Sequence, residues 1–311
     1  FFYVKASNFT PFIPPSQPTA ATTGDGAVSA QMAQPLWQWA TGMTPSIYGV
    51  PGILSGAALV FFAFLGFDVV ATASEETKNP HKNVPLGIGV GMLLIIVMYM
   101  LVAIVTTGMV SYKDLAKQDS PSLATAFELV GADWAAKIIS FGIVLGLATV
   151  IMVLLLGLTR IVFAMSRDGL LPRGLSKTGK HGTPAVLQIV VGVVVALVAA
   201  LFDIGVLSDM VNIGTLSAFI LVAISIPIMR KKRPELPRAF RMPGNPWVPI
   251  LIALANFWLM LNLSVLTWIR FLVWLVIGFA IYFSYGYWHA RLGKGDLSET
   301  LSDETDRAVN G

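Results

Sequence analysis

Long apolar runs without a charged side chain alternate with short polar segments along most of this chain. Six runs contain no Asp, Glu, Lys or Arg, at 83–112, 138–159, 182–202, 210–229, 242–269 and 271–290, and a seventh apolar run at 52–77 carries Asp68. A helix needs about 20 apolar residues to cross the hydrocarbon core of a bilayer. The pattern therefore predicts seven membrane-spanning helices, near 52–77, 85–110, 135–164, 184–203, 207–229, 246–266 and 270–290.

The residues outside these runs divide into a leading segment and a tail. Residues 1–51 open with Phe1–Val4, which we expect to end a preceding helix, so that the sequence is expected to be part of a longer protein. The rest of this segment is rich in Pro and Gly, and it predicts an extracellular loop with a short surface helix near 35–41. Residues 52–291 form the predicted transmembrane region, and the polar, acidic residues 292–311 predict a solvated tail.

The composition indicates that lipid is the main solvent of this chain. Apolar residues make up 55% of the sequence, charged residues make up 12%, and the mean hydropathy is +0.74. Soluble domains have about 25% charged residues. We therefore predict an all-α integral membrane protein, because helices satisfy their own backbone in lipid. The absence of Cys excludes disulfides, thiolate metal sites and thiol nucleophiles.

The basic residues predict the orientation in the membrane. Sixteen of the 21 Lys and Arg residues fall on one side of the seven predicted spans, including the cluster Arg230–Arg233, and five fall on the other side. Cytoplasmic loops carry the excess of basic residues, so we expect a cytoplasmic C-terminus. The net charge is +4, but basic groups confined to loops between apolar spans argue against nucleic-acid binding.

The first predicted span contains the residue that points to function. Asp68 lies near the middle of this span, where an unpaired charge is costly, and Gly66 just before it would ease a break in the helix. One interpretation is a discontinuous helix at a substrate site, where carbonyls at 62–65 hold an ammonium group and N–H groups of the second half-helix hold an anion. The alternative is a straight helix in which Asp68 bonds to a neighbouring helix.

Several motifs carry a resemblance to a known family. They are Phe61–Asp68 (FFAFLGFD), Ser74–Pro80 (SEETKNP), Arg160–Pro172 (RIVFAMSRDGLLP), Gly182–Pro184 (GTP), Asn212–Leu216 (NIGTL), Arg230–Gly244 (RKKRPELPRAFRMPG) and Trp268–Trp274 (WIRFLVW). Together they resemble helices six to twelve of the amino acid–polyamine–organocation transporters, and are most similar to the bacterial cationic amino acid transporter branch. The resemblance extends over essentially the whole chain.

The resemblance implies a twelve-helix transporter with a 5+5 inverted repeat. This chain would hold the end of helix five and helices six to twelve, including one broken helix, and it would lack helices one to five with half of the substrate site. Amino acids are the implied substrates, carried by alternating access with protons as the coupling ion. An amino acid exchanger or a sodium-coupled carrier on the same fold is the alternative, and no cofactor is implied.

The resemblance also implies roles for residues at the predicted break. The backbone carbonyls of Phe62, Ala63 and Leu65 would bind the amino group of the substrate, and Gly66 belongs to the same substrate site. The ring of Phe62 would also shield the site as a gate. Asp68 matches the position of an acid that is linked to proton sensing in some relatives.

Other functions fit the sequence less well. A membrane enzyme needs converging polar groups on several spans, and because Asp68 stands nearly alone we assign no catalytic residues. A channel would be expected to show polar or small stripes on several helices. His81, His181 and His289 lie on different segments without ligand spacing, so no metal site is predicted.

Small residues also recur in the predicted span at 135–164. Gly142, Gly146 and Thr149 lie at near-helical spacing. They fit close packing against a neighbouring helix. The family resemblance also places this helix beside the substrate site, so both interpretations stay open.

Overall fold

The computed structural model describes residues 3–18, 31–43, 46–67, 70, 77–118, 121–176, 184–234 and 244–290. The α-helices are α1 Leu36–Thr41, α2 Gly49–Val60, α3 Pro80–Met109, α4 Tyr112–Leu115, α5 Leu123–Leu129, α6 Asp133–Arg167, α7 Ala185–Leu201, α8 Ile204–Lys232, α9 Trp247–Leu261, α10 Val265–Ile281 and α11 Tyr287–His289. Turns of 3-10 helix occupy Ala6–Phe9, Phe61–Phe64 and Arg173–Ser176, and a π-helical turn occupies Tyr282–Gly286. Strands β1 Gln17–Pro18 and β2 Ser46–Ile47 pair antiparallel. The predicted tail at 292–311 lies outside the described residues.

Each of the seven predicted spans corresponds to one apolar helical segment. Within the described ranges, four helices are long and apolar enough to cross a membrane, namely Lys82–Met109, Asp133–Arg167, Ile204–Lys232 and Val265–His289. Three shorter apolar helical segments are Gly49–Phe64, Ala185–Leu201 and Trp247–Leu261. The prediction of a helical membrane protein is confirmed, as is the surface helix near 35–41, which is α1. The inverted repeat stays a prediction.

The longest apolar helices expose the side chains that a soluble protein would bury. Leu93, Leu94 and Met98 in the middle of α3 are 62%, 61% and 59% exposed. Met152 in α6 is 71% exposed. Contiguous apolar surface of this kind suits contact with lipid or with further membrane helices.

One predicted helix boundary is wrong. The charge-free run at 242–269 predicts that the last two spans meet near residues 266–270, whereas α9 ends at Leu261 and α10 begins at Val265. Asn262 ends α9 with a bond from its Nδ2 to the Trp258 carbonyl at 2.8 Å. Asn and Ser are turn residues because their side chains bond to the nearby backbone, and the apolar residues that follow them hide this signal.

The described contacts divide the chain into two units. The first comprises Phe1–Met152 and Gly214–Val265, and the second comprises Val153–Ile213 and Leu266–Gly311. In the first unit, Met109 and Ala126 belong to a small buried core at the end of α3. The Lys5 N–H donates to the Gly108 carbonyl at 2.8 Å, which fixes the start of the leading segment to the same end of α3.

The first unit also fixes the leading segment to the turn between α9 and α10. The Leu36 N–H donates to the Leu263 carbonyl at 3.0 Å, and the Val265 N–H donates to the Gln34 carbonyl at 3.1 Å. These two bonds flank an antiparallel bridge between Pro35 and Ser264. The backbone just before α1 therefore pairs with the turn like a short strand.

Side chains complete this attachment. Trp37 Nε1 donates to Asn262 Oδ1 at 2.9 Å, and the Trp37 ring stacks on Trp258 with centroids 6.4 Å apart. Gln38, one residue further, is 1% exposed. Asn262 thus bonds both to its own helix and to the leading segment.

In the second unit, the Arg160–Pro172 motif ends in a turn that packs against the end of the last span. Gly169 has φ +82°, and a Cβ atom at this position would overlap the His289 carbonyl oxygen. Ser166 is fully buried, and its Oγ donates to the Pro172 carbonyl at 2.7 Å. Both the left-handed backbone and the close approach therefore require glycine at 169.

A polar contact joins α8 to α10 in the same unit. Thr267 is fully buried, and its Oγ1 donates to Asp209 Oδ2 at 3.1 Å. A carboxyl group in an apolar span is costly unless it finds a partner. The bond therefore satisfies an acid that the sequence pattern did not single out.

We expect Asn262→Ala to destabilise the protein by about 1–3 kcal/mol, because the Trp37 indole loses its acceptor and the turn loses its bond to Trp258. Thermal unfolding of the purified protein in detergent measures this change. Asn256→Ala is the matched control, since Asn256 Nδ2 makes the same type of bond, to the Ile252 carbonyl at 2.7 Å. Equal losses of stability in the two variants would contradict the inference that the bond from Trp37 to Asn262 stabilises the protein.

Candidate substrate site

The first span is interrupted at the place that the sequence predicts. Regular α-helix ends at Val60 and continues as a 3-10 turn over Phe61–Phe64. Leu65 then leaves the helical region, with φ −65° and ψ 147°, and Gly66 has φ +112°. The backbone at Leu65 and Gly66 contradicts a straight helix and agrees with the predicted interruption. The second half-helix stays a prediction.

Gly66 is required by backbone conformation and not by space. A Cβ atom built on Gly66 would have no atom of the described chain within 4 Å. Its φ of +112°, however, lies in a region that residues with a side chain rarely adopt. The glycine thus permits the change of direction that ends the first half of the span.

Two of the three predicted substrate-binding carbonyls have donors from the protein itself. The Phe62 carbonyl accepts the Leu65 N–H at 3.2 Å. The Ala63 carbonyl accepts the Tyr99 hydroxyl, from α3, at 2.9 Å. At the break, a side chain of another helix thus supplies a donor to a backbone carbonyl.

Aromatic rings surround this break in the first unit. Phe219 of α8 meets Phe61 edge to face with centroids 6.1 Å apart, and it also meets Phe67 with centroids 5.5 Å apart. Phe64 meets Tyr99 edge to face with centroids 5.1 Å apart. Apolar rings thus flank the polar backbone of the break, while Phe62 and Ala63 themselves are exposed in the described part of the chain.

The predicted gate and the predicted coupling residue differ in what the structure describes. Phe62 is 42% exposed, so its ring is accessible at the break. Its role as a gate stays a prediction. Asp68 lies outside the described residues, and so does the second half of the predicted broken helix apart from Val70 and Thr77.

The small residues of α6 do not pack against the described helices. Cβ atoms built on Gly142 and Gly146 would have no atom of the described chain within 4 Å, other than those of their own helix turn. Thr149 Oγ1 donates to the Gly146 carbonyl of its own helix at 2.7 Å. Within the described part of the chain, this face of α6 is therefore open.

The sequence predicts no metal site at the three histidines, and the structure describes the side chain of one of them. His289 Nδ1 lies 2.9 Å from the Tyr285 carbonyl, and its ring stacks on the Tyr285 ring with centroids 4.2 Å apart. His181 and the side chain of His81 lie outside the described residues. Among the residues that the structure describes, no three His, Asp or Glu side chains form a cluster that could hold a metal ion.

Sequence reasoning missed Tyr99 and Phe219. Tyr99 lies in the charge-free run at 83–112, where a hydroxyl group in mid-membrane needs a partner. That signal was available, although it does not say which carbonyl the hydroxyl meets. The sequence gives no sign that Phe219 contacts the break, because a single apolar residue does not stand out in an apolar helix.

We expect Gly66→Ala to destabilise the protein by about 1–3 kcal/mol, since the new side chain strains a backbone at positive φ. Thermal unfolding in detergent measures the loss. Gly56→Ala in α2 is the matched control: it too has open space around its Cβ, and its φ is not positive. Alanine favours a helix over glycine by about 1 kcal/mol, so the control is expected to be neutral or stabilising. Equal stability of the two variants would show that the backbone at position 66 does not require glycine.

The fold and the site together define a helical integral membrane protein with an interrupted span lined by backbone acceptors and aromatic rings. The chain belongs to the amino acid permease family, whose model matches residues 9–287. The resemblance inferred from the sequence motifs is therefore confirmed.

Curated relatives carry several substrate names. The chain is 47% identical over 247 residues to the branched-chain amino acid permease BcaP of Bacillus subtilis, covering 79% of this chain and 53% of the relative. It is 43% identical over 248 residues to the methylthioribose transporter of Bacillus subtilis, with coverage of 79% and 53%. It is 44% identical over 191 residues to the cationic amino acid transporter 3, mitochondrial, of Arabidopsis thaliana, with coverage of 61% and 31%. The chain thus spans about half the length of the two Bacillus relatives.

Proposed function

We propose that this chain forms helices six to twelve of a secondary amino acid transporter, with the substrate bound at the break between Phe61 and Asp68. The interrupted span carries this proposal, because its backbone offers acceptors in the middle of an apolar helix. In the proposed division, residues 1–51 hold the end of helix five and the extracellular loop, 52–291 the spans, and 292–311 a cytoplasmic tail. Helices one to five would complete a 5+5 inverted repeat that works by alternating access.

The chemistry of the break suits an ammonium group. The carbonyls of Phe62, Ala63 and Leu65 would supply partial negative charge in place of the water that the ammonium group loses. Bonds from a charged donor are about twice as strong as neutral ones, which offsets this loss of hydration. Gly66 lets the chain leave the helix so that these carbonyls are accessible, and Phe62 would close over the bound substrate.

The surroundings of the break favour an apolar substrate side chain. Phe61, Phe64, Phe67 and Phe219 provide ring surfaces next to the carbonyls. The relative with 47% identity is named a branched-chain amino acid permease, whereas others are named for methylthioribose or cationic amino acids. We therefore propose branched-chain amino acids as the first substrates to test, with lysine, arginine and methylthioribose as comparisons.

Protons are the proposed coupling ion. Asp68 follows Gly66 by two residues. An acid in a membrane span that alternately gains and loses a proton can link substrate binding to a proton gradient. The excess of basic residues on one side supports a cytoplasmic C-terminus for the proposed protein. The two Bacillus relatives support a bacterial plasma (inner) membrane as its location.

We expect the full-length protein, reconstituted in liposomes, to take up leucine, isoleucine or valine faster under an inward proton gradient. Asp68→Asn keeps the shape of the side chain but cannot ionise, so uptake in this variant is expected to lose the stimulation by the gradient. Uptake of a radiolabelled panel with and without the gradient measures both effects. Asp203→Asn, at a residue between α7 and α8, is a control for the loss of one carboxylate.

The same assay separates the alternatives. Stimulation by a sodium gradient alone would indicate a sodium-coupled carrier, and uptake only into liposomes preloaded with amino acid would indicate an exchanger. Uptake of methylthioribose but of no amino acid, in folded protein, would overturn the proposed substrate class.

We expect the 311 residues of this chain, reconstituted alone, to show no uptake above empty liposomes. Alternating access needs both repeats, because the site lies between them. Co-expression with the missing helices as a second polypeptide is expected to restore uptake. Full uptake by the chain alone would overturn the two-repeat architecture.

A further inference from the structure

Tyr99 reaches the break from a different helix. It lies in α3 within the apolar span Lys82–Met109, and its hydroxyl donates to the Ala63 carbonyl at 2.9 Å. Its ring meets Phe64 edge to face with centroids 5.1 Å apart. Two contacts thus hold the Tyr99 side chain at the break: its hydroxyl bonds to the Ala63 carbonyl, and its ring packs against the Phe64 ring.

The Ala63 carbonyl needs this donor because of the break. In a continuous helix it would accept the N–H of Phe67, but Leu65 has already left the helical region. The Leu65 N–H bonds to Phe62 instead. Among the described residues, Tyr99 is the donor that the structure shows at the Ala63 carbonyl. A backbone carbonyl without a hydrogen-bond donor is costly in a membrane-spanning segment, because lipid offers no donor.

We propose that the Tyr99 hydroxyl is a placeholder for the ammonium group of the substrate at the Ala63 carbonyl. This inference rests on the proposed function, in which that carbonyl binds the substrate. In the empty site the hydroxyl satisfies the carbonyl, and on binding the charged ammonium group takes over this bond because charge-assisted bonds are stronger than neutral ones. Tyr99 is therefore a positioning residue: by stabilising the empty site, its hydroxyl lowers the affinity of the site for the substrate.

Such a placeholder would help a transporter, because a transporter must release its substrate as readily as it binds it. Without it, release of the substrate would leave the Ala63 carbonyl without a donor in an apolar environment, and binding would be tighter but release slower. If the hydroxyl instead only oriented the carbonyl for the substrate, its removal would weaken binding. The two roles thus predict opposite changes in affinity.

Equilibrium binding to the purified full-length protein distinguishes these roles. The probe is radiolabelled leucine, or the panel member that is taken up best. In Tyr99→Phe, the dissociation constant is expected to fall about three- to tenfold, the range that one net hydrogen bond gives. Tyr282→Phe is the matched control, because Tyr282 is 42% exposed, as Tyr99 is, and lies in the other unit. Its dissociation constant is expected to equal that of the wild type.

A second probe ties the effect to the ammonium group. The deaminated analogue of the same substrate is used as a competitor, and its weak inhibition is expected to be the same in Tyr99→Phe and in the wild type. Tyr99→Leu also lacks the hydroxyl and is expected to bind leucine more tightly, so it repeats the test if the phenylalanine variant does not fold. Size-exclusion profiles and thermal unfolding establish folding in each case.

The outcomes separate the inference from the proposed function. Wild-type binding with unchanged or weaker affinity in Tyr99→Phe would overturn the placeholder and leave the proposed function standing. An equal gain for the deaminated analogue would also overturn it, since the ammonium group would then play no part. Absence of binding by any amino acid to folded wild-type protein would overturn the proposed function and the inference with it.

Discussion

Every backbone N–H and C=O group inside a lipid bilayer must find a hydrogen-bond partner within the protein. Most of this chain meets that requirement with continuous helices, and the first span does not. After Phe64 the chain turns away from the helix axis, so the carbonyls of the preceding turn lose their normal donors. The protein offsets this locally, with the Leu65 N–H, and from a neighbouring helix, with the Tyr99 hydroxyl. The break is stable because these donors are in place.

The same requirement connects the break to binding. A continuous helix has no free acceptors in its middle, whereas an interrupted helix presents backbone carbonyls whose partners can be exchanged. Recognition through the backbone depends little on side-chain identity. In the proposed site, the rings of Phe61, Phe67 and Phe219 would contact the rest of the ligand. This division suits a family whose members, at 43% and 47% identity to this chain, carry the names of different substrates.

Much of the fold could be predicted from the sequence, because the thickness of the bilayer sets the length of the apolar run that a spanning helix needs. Each predicted span corresponds to one apolar helical segment, and Gly66, two residues before Asp68, lies where the helix of the first span is interrupted. The turn at 262–264 could not be predicted from hydrophobicity, since apolar residues continue on both sides of it. The partners of Trp37 and Tyr99 could not be predicted either, because the residues that they contact, Asn262 and Ala63, are far away along the chain.

The two ends of α2 differ in how firmly they are held. At its start, β2 pairs with β1, and a Cβ atom on Gly49 would come within 2.9 Å of Ser16, so the chain is closely packed there. Just upstream, Trp37 is bonded to the turn after α9. Beyond its other end, a 3-10 turn leads to Gly66, which has positive φ, and a Cβ atom built there would have no atom of the described chain within 4 Å. The start of α2 is therefore fixed by close backbone packing, whereas the break beyond its end is held by a side-chain hydrogen bond and by ring contacts, which can be exchanged. Movement there would reorient the carbonyls of Phe62 and Ala63 without disturbing the attachment of the leading segment.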